Sequence, residues 1–275
     1  MKKLFSSVFL IIITVAAFSQ HSLEKIWESD SVFRVPESVL PDLKKNLLYV
    51  SNIDGTDAWA KDGKGFISKL GLDGKVISLE WVKGLNSPKG MGMFRNNLFV
   101  ADMNEVVVID IEKGEILRKI VVPNAEGLND ITVDPKGILY VSDSKTKRVY
   151  RIQGSNANPH LEGLQGPNGV LWHKENLYLL DRGTFYRVEY DRSLTKIVDG
   201  IEGGADGLQA VYEKEFLASG WAGVIYYINA DGTKDILLDT RAEKSSTADI
   251  AFDAGLRNLY VPTFFKNKVV AYKLK

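Results

Sequence analysis

The chain has 275 residues, 45% of them hydrophobic and 25% charged, with 35 basic residues balancing 35 acidic ones. This composition is typical of a folded protein with one large domain or two small ones, and the balanced charge gives no indication of a nucleic-acid or anionic-membrane partner. Because the chain contains no cysteine, a disulfide, a thiol nucleophile and a thiolate metal site are all excluded.

The N-terminus predicts a bacterial-type signal peptide over residues 1–19. Two lysines follow the initial Met, an apolar run covers residues 8–18, and residues 17–19 place small side chains where a signal peptidase reads them. The apolar run is too short to span a bilayer, and an N-terminal membrane anchor is the alternative. We therefore expect a periplasmic or secreted protein, without stable membrane insertion, whose residues 20–275 form one domain. The oligomeric state is left open.

One strand-like segment recurs six times along the predicted mature chain. It has the form Leu-Tyr-Val and ends in a small or acidic residue; the copies are LYVSN (48–52), LFVAD (98–102), LYVSD (139–143), LYLLD (177–181), FLASG (216–220) and LYVPT (259–263). Before each copy stands another strand that opens on a polar residue, and after each comes a third strand of alternating pattern. The period is about 40 residues, with a weaker fourth strand in most units.

Six such units predict an all-β protein, a six-bladed β-propeller. A β-sandwich or two β domains is the alternative, but a sandwich has no reason to repeat six times at constant spacing. The last unit stops after its third strand, so the N-terminal segment LEKIWES (23–29) is expected to supply the missing outer strand. Closing the ring in this way removes an open sheet edge.

The propeller architecture predicts a polar cluster on the axis. The first strand of each blade lines the central channel, and the polar residues that open these strands are Glu37, Lys89, Asn129, Asn168, Asp206 and Asp249. Carboxylates crowded in a narrow channel repel one another and lose hydration, which raises their pKa values. A hard cation relieves this repulsion, and an all-oxygen donor set suits Ca²⁺, with Mg²⁺ or Mn²⁺ possible. The alternative is a polar, water-filled channel without a metal.

Four of these positions stand in short motifs that follow the order of a known family. The motifs are PESV at Glu37, LNDITVD at Asn129, GPNGV at Asn168 and GGADGLQ at Asp206. On these motifs the chain resembles the senescence marker protein/gluconolactonase (regucalcin-like) family over essentially the whole mature chain. It is more distantly similar to diisopropyl fluorophosphatase and the paraoxonases. The resemblance implies a catalytic divalent metal held by those four residues.

One position departs from the pattern of that family. Lactonase members carry a basic residue, typically Arg, two positions before the first Asn, where it binds substrate, and this chain has Gly127 there. Gluconolactone itself is therefore a doubtful substrate. Lys89 either supplies a positive charge from the neighbouring blade or neutralises Asp249 or Glu37 across the channel.

The loops between second and third strands are expected on the same face as the polar cluster. The first of them, residues 53–65, is long and is either a lid over the site or a solvated excursion. Two of its acids, Asp54 and Asp57, offer a weaker prediction of a second, structural calcium. The remaining loops bring an aromatic and basic rim that suits a small, partly apolar ligand with an anionic or carbonyl group. The substrate-binding residues that we predict are Lys89, Trp59, Arg182, Trp221 and Asp249.

These features together predict an exported Ca²⁺-dependent hydrolase of a small ester, with a lactone as the favoured substrate class. By resemblance, and because it adjoins the metal, Asp206 is the first candidate for activating the attacking water, and Asp130 is the second. A non-catalytic propeller that binds a small ligand or a protein is the alternative, and phosphotriester cleavage on the same scaffold is a further one. The sequence contains no Gly-x-Ser-x-Gly elbow and no P-loop, which leaves serine-hydrolase and nucleotide-hydrolase interpretations without support.

Overall fold

Six antiparallel sheets of four strands each build the computed structural model, which describes residues 21–275. The innermost strands of successive sheets contact one another in a closed ring, so the six sheets are the blades of a propeller. The predicted fold class is thus confirmed. Within residues 21–275, no helix is long and apolar enough to cross a membrane. The predicted signal peptide, residues 1–19, lies outside the described residues.

Each blade is a meander that runs from the central channel to the rim. The innermost strands are β2 (Pro36–Asp42), β6 (Pro88–Phe94), β10 (Leu128–Val133), β14 (Pro167–His173), β18 (Ala205–Ala210) and β22 (Ala251–Asp253). The second strands are β3 (Leu47–Asn52), β7 (Asn97–Asp102), β11 (Leu139–Asp143), β15 (Asn176–Asp181), β19 (Phe216–Gly220) and β23 (Asn258–Pro262). The third strands are β4 (Gly65–Gly71), β8 (Glu105–Asp110), β12 (Arg148–Gln153), β16 (Thr184–Val188), β20 (Val224–Ile228) and β24 (Val269–Leu274). The outer strands are β5 (Val76–Leu85), β9 (Glu115–Val121), β13 (Asn156–Leu161), β17 (Leu194–Val198), β21 (Lys234–Asp239) and, in the last blade, β1 (Leu23–Glu28).

The N-terminal strand closes the ring, as the sequence predicts. Strand β1 pairs antiparallel with β24, from Leu23 opposite Leu274 to Glu28 opposite Val270. Trp27 of the same strand reaches across to the first blade, where its indole N–H donates to the Leu72 carbonyl oxygen at 2.8 Å. The first and last segments of the described chain are therefore joined in one sheet, and that sheet is fastened to the next blade.

The hydrophobic core lies between the blades rather than in one central mass. Among the described residues, one large cluster of buried apolar side chains fills each of the six blade-to-blade contacts. Both faces of a blade are covered, so strands such as β20 (VIYYI) are buried along their whole length. Each fully buried Val, Leu, Ile, Phe or Met side chain contributes about 1.5–3 kcal/mol of hydrophobic free energy to folding. This burial explains why the second and third strands read as nearly continuous apolar runs.

Three of the second strands end in an Asp whose carboxylate accepts hydrogen bonds from the backbone of the loop leading into the innermost strand. Asp102 accepts hydrogen bonds from the backbone N–H of Ser87 at 2.8 Å, and Asp181 accepts one from Gly166 at 2.6 Å. Asp143 accepts one from Glu126 at 2.9 Å. Each carboxylate thereby fixes the segment that enters the innermost strand of its own blade. The recurring terminal Asp of the repeat is accordingly structural, and it sets the position from which the channel residues project.

Candidate active site

The innermost strands break their regular pairing where the polar channel residues stand. In five blades the register with the second strand shifts across this position; the shifts lie at residues 36–38, 88–91, 128–131, 167–170 and 205–208. Such a bulge re-aims a side chain away from the regular alternation of the sheet. Serines of the second strands accept hydrogen bonds from backbone N–H groups at the bulges. The Ser38 N–H donates to Ser51 Oγ at 3.0 Å, and the Gly207 N–H donates to Ser219 Oγ at 2.8 Å.

Glycines that follow the channel residues allow neighbouring innermost strands to approach closely. A Cβ atom added at Gly169 would lie 2.3 Å from the Asp206 carbonyl oxygen, and one at Gly207 would lie 2.5 Å from the Ile250 nitrogen. Neither distance is compatible with a side chain. The glycines in GPNGV and GGADGLQ are thus required by packing, and that packing brings the polar side chains of adjacent blades to one axis.

Five of the six predicted channel residues line a single cavity of about 320 Å³ at one end of the axis. They are Glu37, Lys89, Asn129, Asn168 and Asp206. Asn168 is half-buried, and the other four residues are 3–8% exposed. The remaining wall comes from the long loop, from the start of β18 and from three aromatic residues of the last two blades; it consists of Gly55, Thr56, Ala58, Trp59, Gly204, Ala205, Trp221, Phe264 and Phe265.

The side-chain amides of Asn129 and Asn168 both donate an N–H group to another side chain of the protein. Asn168 Nδ2 donates to Asp206 Oδ1 at 2.9 Å, and Asn129 Nδ2 donates to Ser144 Oγ at 3.0 Å. Ser144 in turn donates to the Pro167 carbonyl oxygen at 2.7 Å, which fixes the arrangement. Ser144 is not among the residues predicted from the sequence; its signal is its position directly after the strand LYVSD.

Buried acceptor oxygens without a donor mark this cavity as suited to a cation. Glu37 Oε2 and Asn168 Oδ1 are both buried and have no hydrogen-bond partner. A buried acceptor left unpaired is costly, and a hard divalent ion that prefers oxygen ligands satisfies it. Within residues 21–275, no group of three or more His, Cys, Asp or Glu side chains is arranged to hold a metal. The predicted metal ligands contain only two side chains of those types, Glu37 and Asp206, because the other two ligands are the amides of Asn129 and Asn168.

The electrostatics of the cavity also favour a cation. Burial raises the pKa of Glu37 to about 7, while Lys89, whose Nζ lies 3.8 Å from Glu37 Oε1, opposes that rise. Burial, followed by repulsion from Glu37 and Asp249, raises the pKa of Asp206 well above its ordinary value. Both shifts mean that these carboxyl groups bind protons more readily than exposed ones do, so protons compete with a cation for the cavity. Of the two pairings foreseen for Lys89, the structure shows the one with Glu37.

The second candidate base and the sixth channel residue lie in a separate cavity further along the channel. This cavity of about 260 Å³ is lined by Asp130 and Asp249 among mostly apolar side chains. Both carboxylate oxygens of Asp130 accept backbone N–H groups, from Ile131 at 2.6 Å and from Val170 at 2.8 Å, and burial raises its pKa to about 8. Asp249 accepts a hydrogen bond from the Ser38 hydroxyl at 2.5 Å. Neither acid lines the cavity that holds the other five residues.

The long loop lies over the mouth of the first cavity. It is anchored to the second blade, because Ser87 Oγ donates to the Ala60 carbonyl oxygen at 2.8 Å and Lys61 Nζ donates to Asn104 Oδ1 at 2.7 Å. Asp54 of the loop forms an ion pair with Arg34 at 2.9 Å. The loop therefore contributes a fixed wall to the cavity.

The remaining predicted rim residues occupy two neighbouring places. Trp221 lines the first cavity and packs edge-on against Phe264 and Phe265. Arg182 lines an adjoining cavity of about 360 Å³ that shares Asn129 and Asn168 with the first. Arg182 is thus beside the polar cluster rather than over it.

Comparisons with known proteins identify similar structures but no sequence family. No protein-family model and no curated protein matches the chain. A gluconolactonase from Xanthomonas campestris is similar in structure, with 15% identity, a TM-score of 0.67, and coverage of 88% of this chain and 87% of the other. A streptogramin B lyase has 14% identity, a TM-score of 0.67, and coverage of 93% and 98%. A virginiamycin B lyase from Staphylococcus aureus has 15% identity, a TM-score of 0.63, and coverage of 93% and 100%. At these identities the likeness establishes the fold.

Proposed function

We propose that this protein is an exported, Ca²⁺-dependent hydrolase that opens a small ester of the lactone type. The observation that carries the proposal is the convergence of two carboxylates and two amides from four blades on one cavity, with buried acceptor oxygens that lack a donor. The structural likeness to a gluconolactonase supports the reaction class. Mg²⁺ and Mn²⁺ are the alternative cations for the same oxygen set.

The residues of the cavity divide into those that hold the cation and those that handle the substrate. Glu37, Asn129, Asn168 and Asp206 would hold the cation, which when bound polarises the ester carbonyl. Ionised Asp206 accepts a proton from water as the water oxygen attacks the carbonyl carbon. The ester C–O bond then breaks, the proton passes to the leaving alkoxide, and an acid and an alcohol result. The positive charge of Lys89 stabilises the negative charge that develops on the carbonyl oxygen.

The proposal is tested with protein that has been stripped of metal by a chelator and dialysed. We expect hydrolysis of members of a lactone and aryl-ester panel to appear when Ca²⁺ is added and to disappear with excess chelator, as followed in a pH-stat. Omission of protein and addition of Na⁺ at equal ionic strength serve as controls. If Ca²⁺ binds but no ester in the panel is cleaved, the protein is a binding propeller and the proposed activity is wrong.

A second candidate reaction is elimination at the same ester bond, since two lyases share the fold. Elimination consumes no water and leaves an alkene, whereas hydrolysis transfers a water oxygen to the acid. Turnover in H₂¹⁸O followed by mass spectrometry therefore separates the two reactions. We expect one labelled oxygen in the acid product; an unlabelled acid together with an alkene would assign the site to a lyase.

A further inference from the structure

Gly127 leaves a space that two other side chains fill. A Cβ atom built at Gly127 would lie 2.7 Å from Lys145 Cγ and 2.9 Å from Trp59 Cζ3. The φ angle at Gly127 lies outside the left-handed region, so the backbone conformation does not itself require glycine. Gly127 is therefore explained by the room that it gives to Trp59 and Lys145 beside the cavity.

Trp59 is held in this space by contacts on several sides. Lys89 Nζ lies 4.5 Å from the centroid of its ring system, and Lys145 Nζ lies 4.8 Å from it. Ammonium groups at this distance are attracted to the indole ring. The Trp59 backbone N–H donates to Asp57 Oδ1 at 2.9 Å, and the next residue, Ala60, accepts the hydrogen bond from Ser87. Trp59 is thus a positioned wall of the cavity.

The walls above the polar floor are predominantly apolar. Trp59 stands on one side and Trp221, Phe264 and Phe265 stand on another, with Trp221 39% exposed and Phe265 56% exposed at the mouth. Among the wall residues, only Thr56 carries a polar side chain besides the indole N–H groups. A ligand with several hydroxyl groups would lose its water hydrogen bonds there without replacement, whereas an alkyl or aryl group would gain contact.

We infer, on the basis of the proposed function, that the site takes lactones with an apolar alkyl or aryl substituent in preference to polyhydroxylated sugar lactones. The polar floor binds the ester group and the aromatic walls contact the substituent. Trp59 is the specificity-determining residue, because it occupies the space beside the floor that a side chain at position 127 would otherwise take.

The test compares two lactones with the same six-membered ring, δ-decalactone and glucono-δ-lactone, on the Ca²⁺-loaded full-length mature protein. We expect kcat/KM to be at least about tenfold higher for δ-decalactone. Trp59→Ala should remove most of this preference by lowering kcat/KM for δ-decalactone, while Trp59→Phe, which keeps an aromatic wall, should retain it. Gly127→Arg should displace Trp59 and act like Trp59→Ala, which provides a second variant if the first fails to fold.

The outcomes separate this inference from the proposed function. A preference for glucono-δ-lactone, or a preference unchanged in both Trp59→Ala and Gly127→Arg, would overturn the inference while hydrolysis itself stands. If neither lactone is cleaved, the lactone and aryl-ester panel decides the proposed function, and Ca²⁺-dependent binding of the same two lactones by calorimetry decides the inference instead. Tighter binding of δ-decalactone that weakens in Trp59→Ala supports it. Equal binding, or no binding of either lactone, overturns it.

Discussion

Replacing Asp206 with asparagine is expected to lower kcat for Ca²⁺-dependent ester hydrolysis by about 10³-fold. Asp206 lines the cavity, is 4% exposed, and receives a hydrogen bond from Asn168 that orients its carboxylate. The amide keeps the shape of the side chain but cannot take a proton from water, and it removes one of the two negative charges of the donor set. Steady-state kinetics at saturating Ca²⁺ measures the loss, and calorimetry should show weaker Ca²⁺ binding as well.

The controls for this variant come from two other acids. Asp235→Asn removes an exposed carboxylate on an outer strand and should leave kcat unchanged. Asp130→Asn tests the second candidate base, whose two oxygens already accept backbone N–H groups. Wild-type turnover in Asp206→Asn would show that the assignment is wrong, and a larger loss in Asp130→Asn than in Asp206→Asn would move the role of base to Asp130.

Calcium is expected to stabilise the protein strongly at pH 8 and weakly at pH 5. The raised pKa values of Glu37, about 7, and Asp130, about 8, mean that the metal-free folded protein binds more protons than the unfolded chain between about pH 4.5 and 8. The stability of the metal-free protein therefore falls as the pH rises through this window. A cation bound in the first cavity favours the ionised form of its ligand Glu37 and offsets that part of the loss, whereas at pH 5 protons compete with it.

The size of this effect follows from linkage between binding and folding. At a Ca²⁺ concentration one hundred times Kd, the gain is about 2.7 kcal/mol. For a domain of this length that corresponds to a rise in Tm of roughly 5–10 °C. Thermal unfolding at pH 5 and pH 8, with Ca²⁺, with chelator and with NaCl at matched ionic strength, measures it. Glu37→Gln should abolish most of the rise, and a calcium effect equally large in this variant would contradict the role of Glu37 as a ligand.

The blade architecture and the approximate position of the polar cluster could be predicted from the sequence because the repeat fixes the register. Glu37, Lys89, Asn129, Asn168 and Asp206 stand at equivalent places in successive units, so a closed ring of such units must bring them to one end of the axis. The closure by β1 follows from counting strands, since the last unit lacks its fourth.

The depth of each acid along the channel could not be predicted in this way. Asp249 stands at the equivalent position in the sixth unit, yet the innermost strand of that blade begins only at Ala251. Its carboxylate turns to the hydroxyl of Ser38, which is 211 residues away in sequence. Whether Asp249 and Asp130 face the first cavity or the second depends on the bulges and on such long-range partners, which the local pattern does not encode.

The role of Gly127 was hidden from the sequence for a similar reason. The sequence shows that a basic residue is missing, but not which side chains occupy the space. Trp59 comes from a loop in another blade, and only the folded chain brings it beside Gly127 and Lys145. The consequence for specificity depends on this packing.

An anomalous difference map from crystals soaked in a saturating concentration of Mn²⁺ or Ca²⁺ would show directly whether the axial cavity binds a divalent cation. We expect a strong peak there, about 2.0–2.6 Å from oxygen atoms of Glu37, Asn129, Asn168 and Asp206. A cavity without a peak, in which Lys89 remains paired with Glu37, would contradict the metal centre and leave a polar channel in its place.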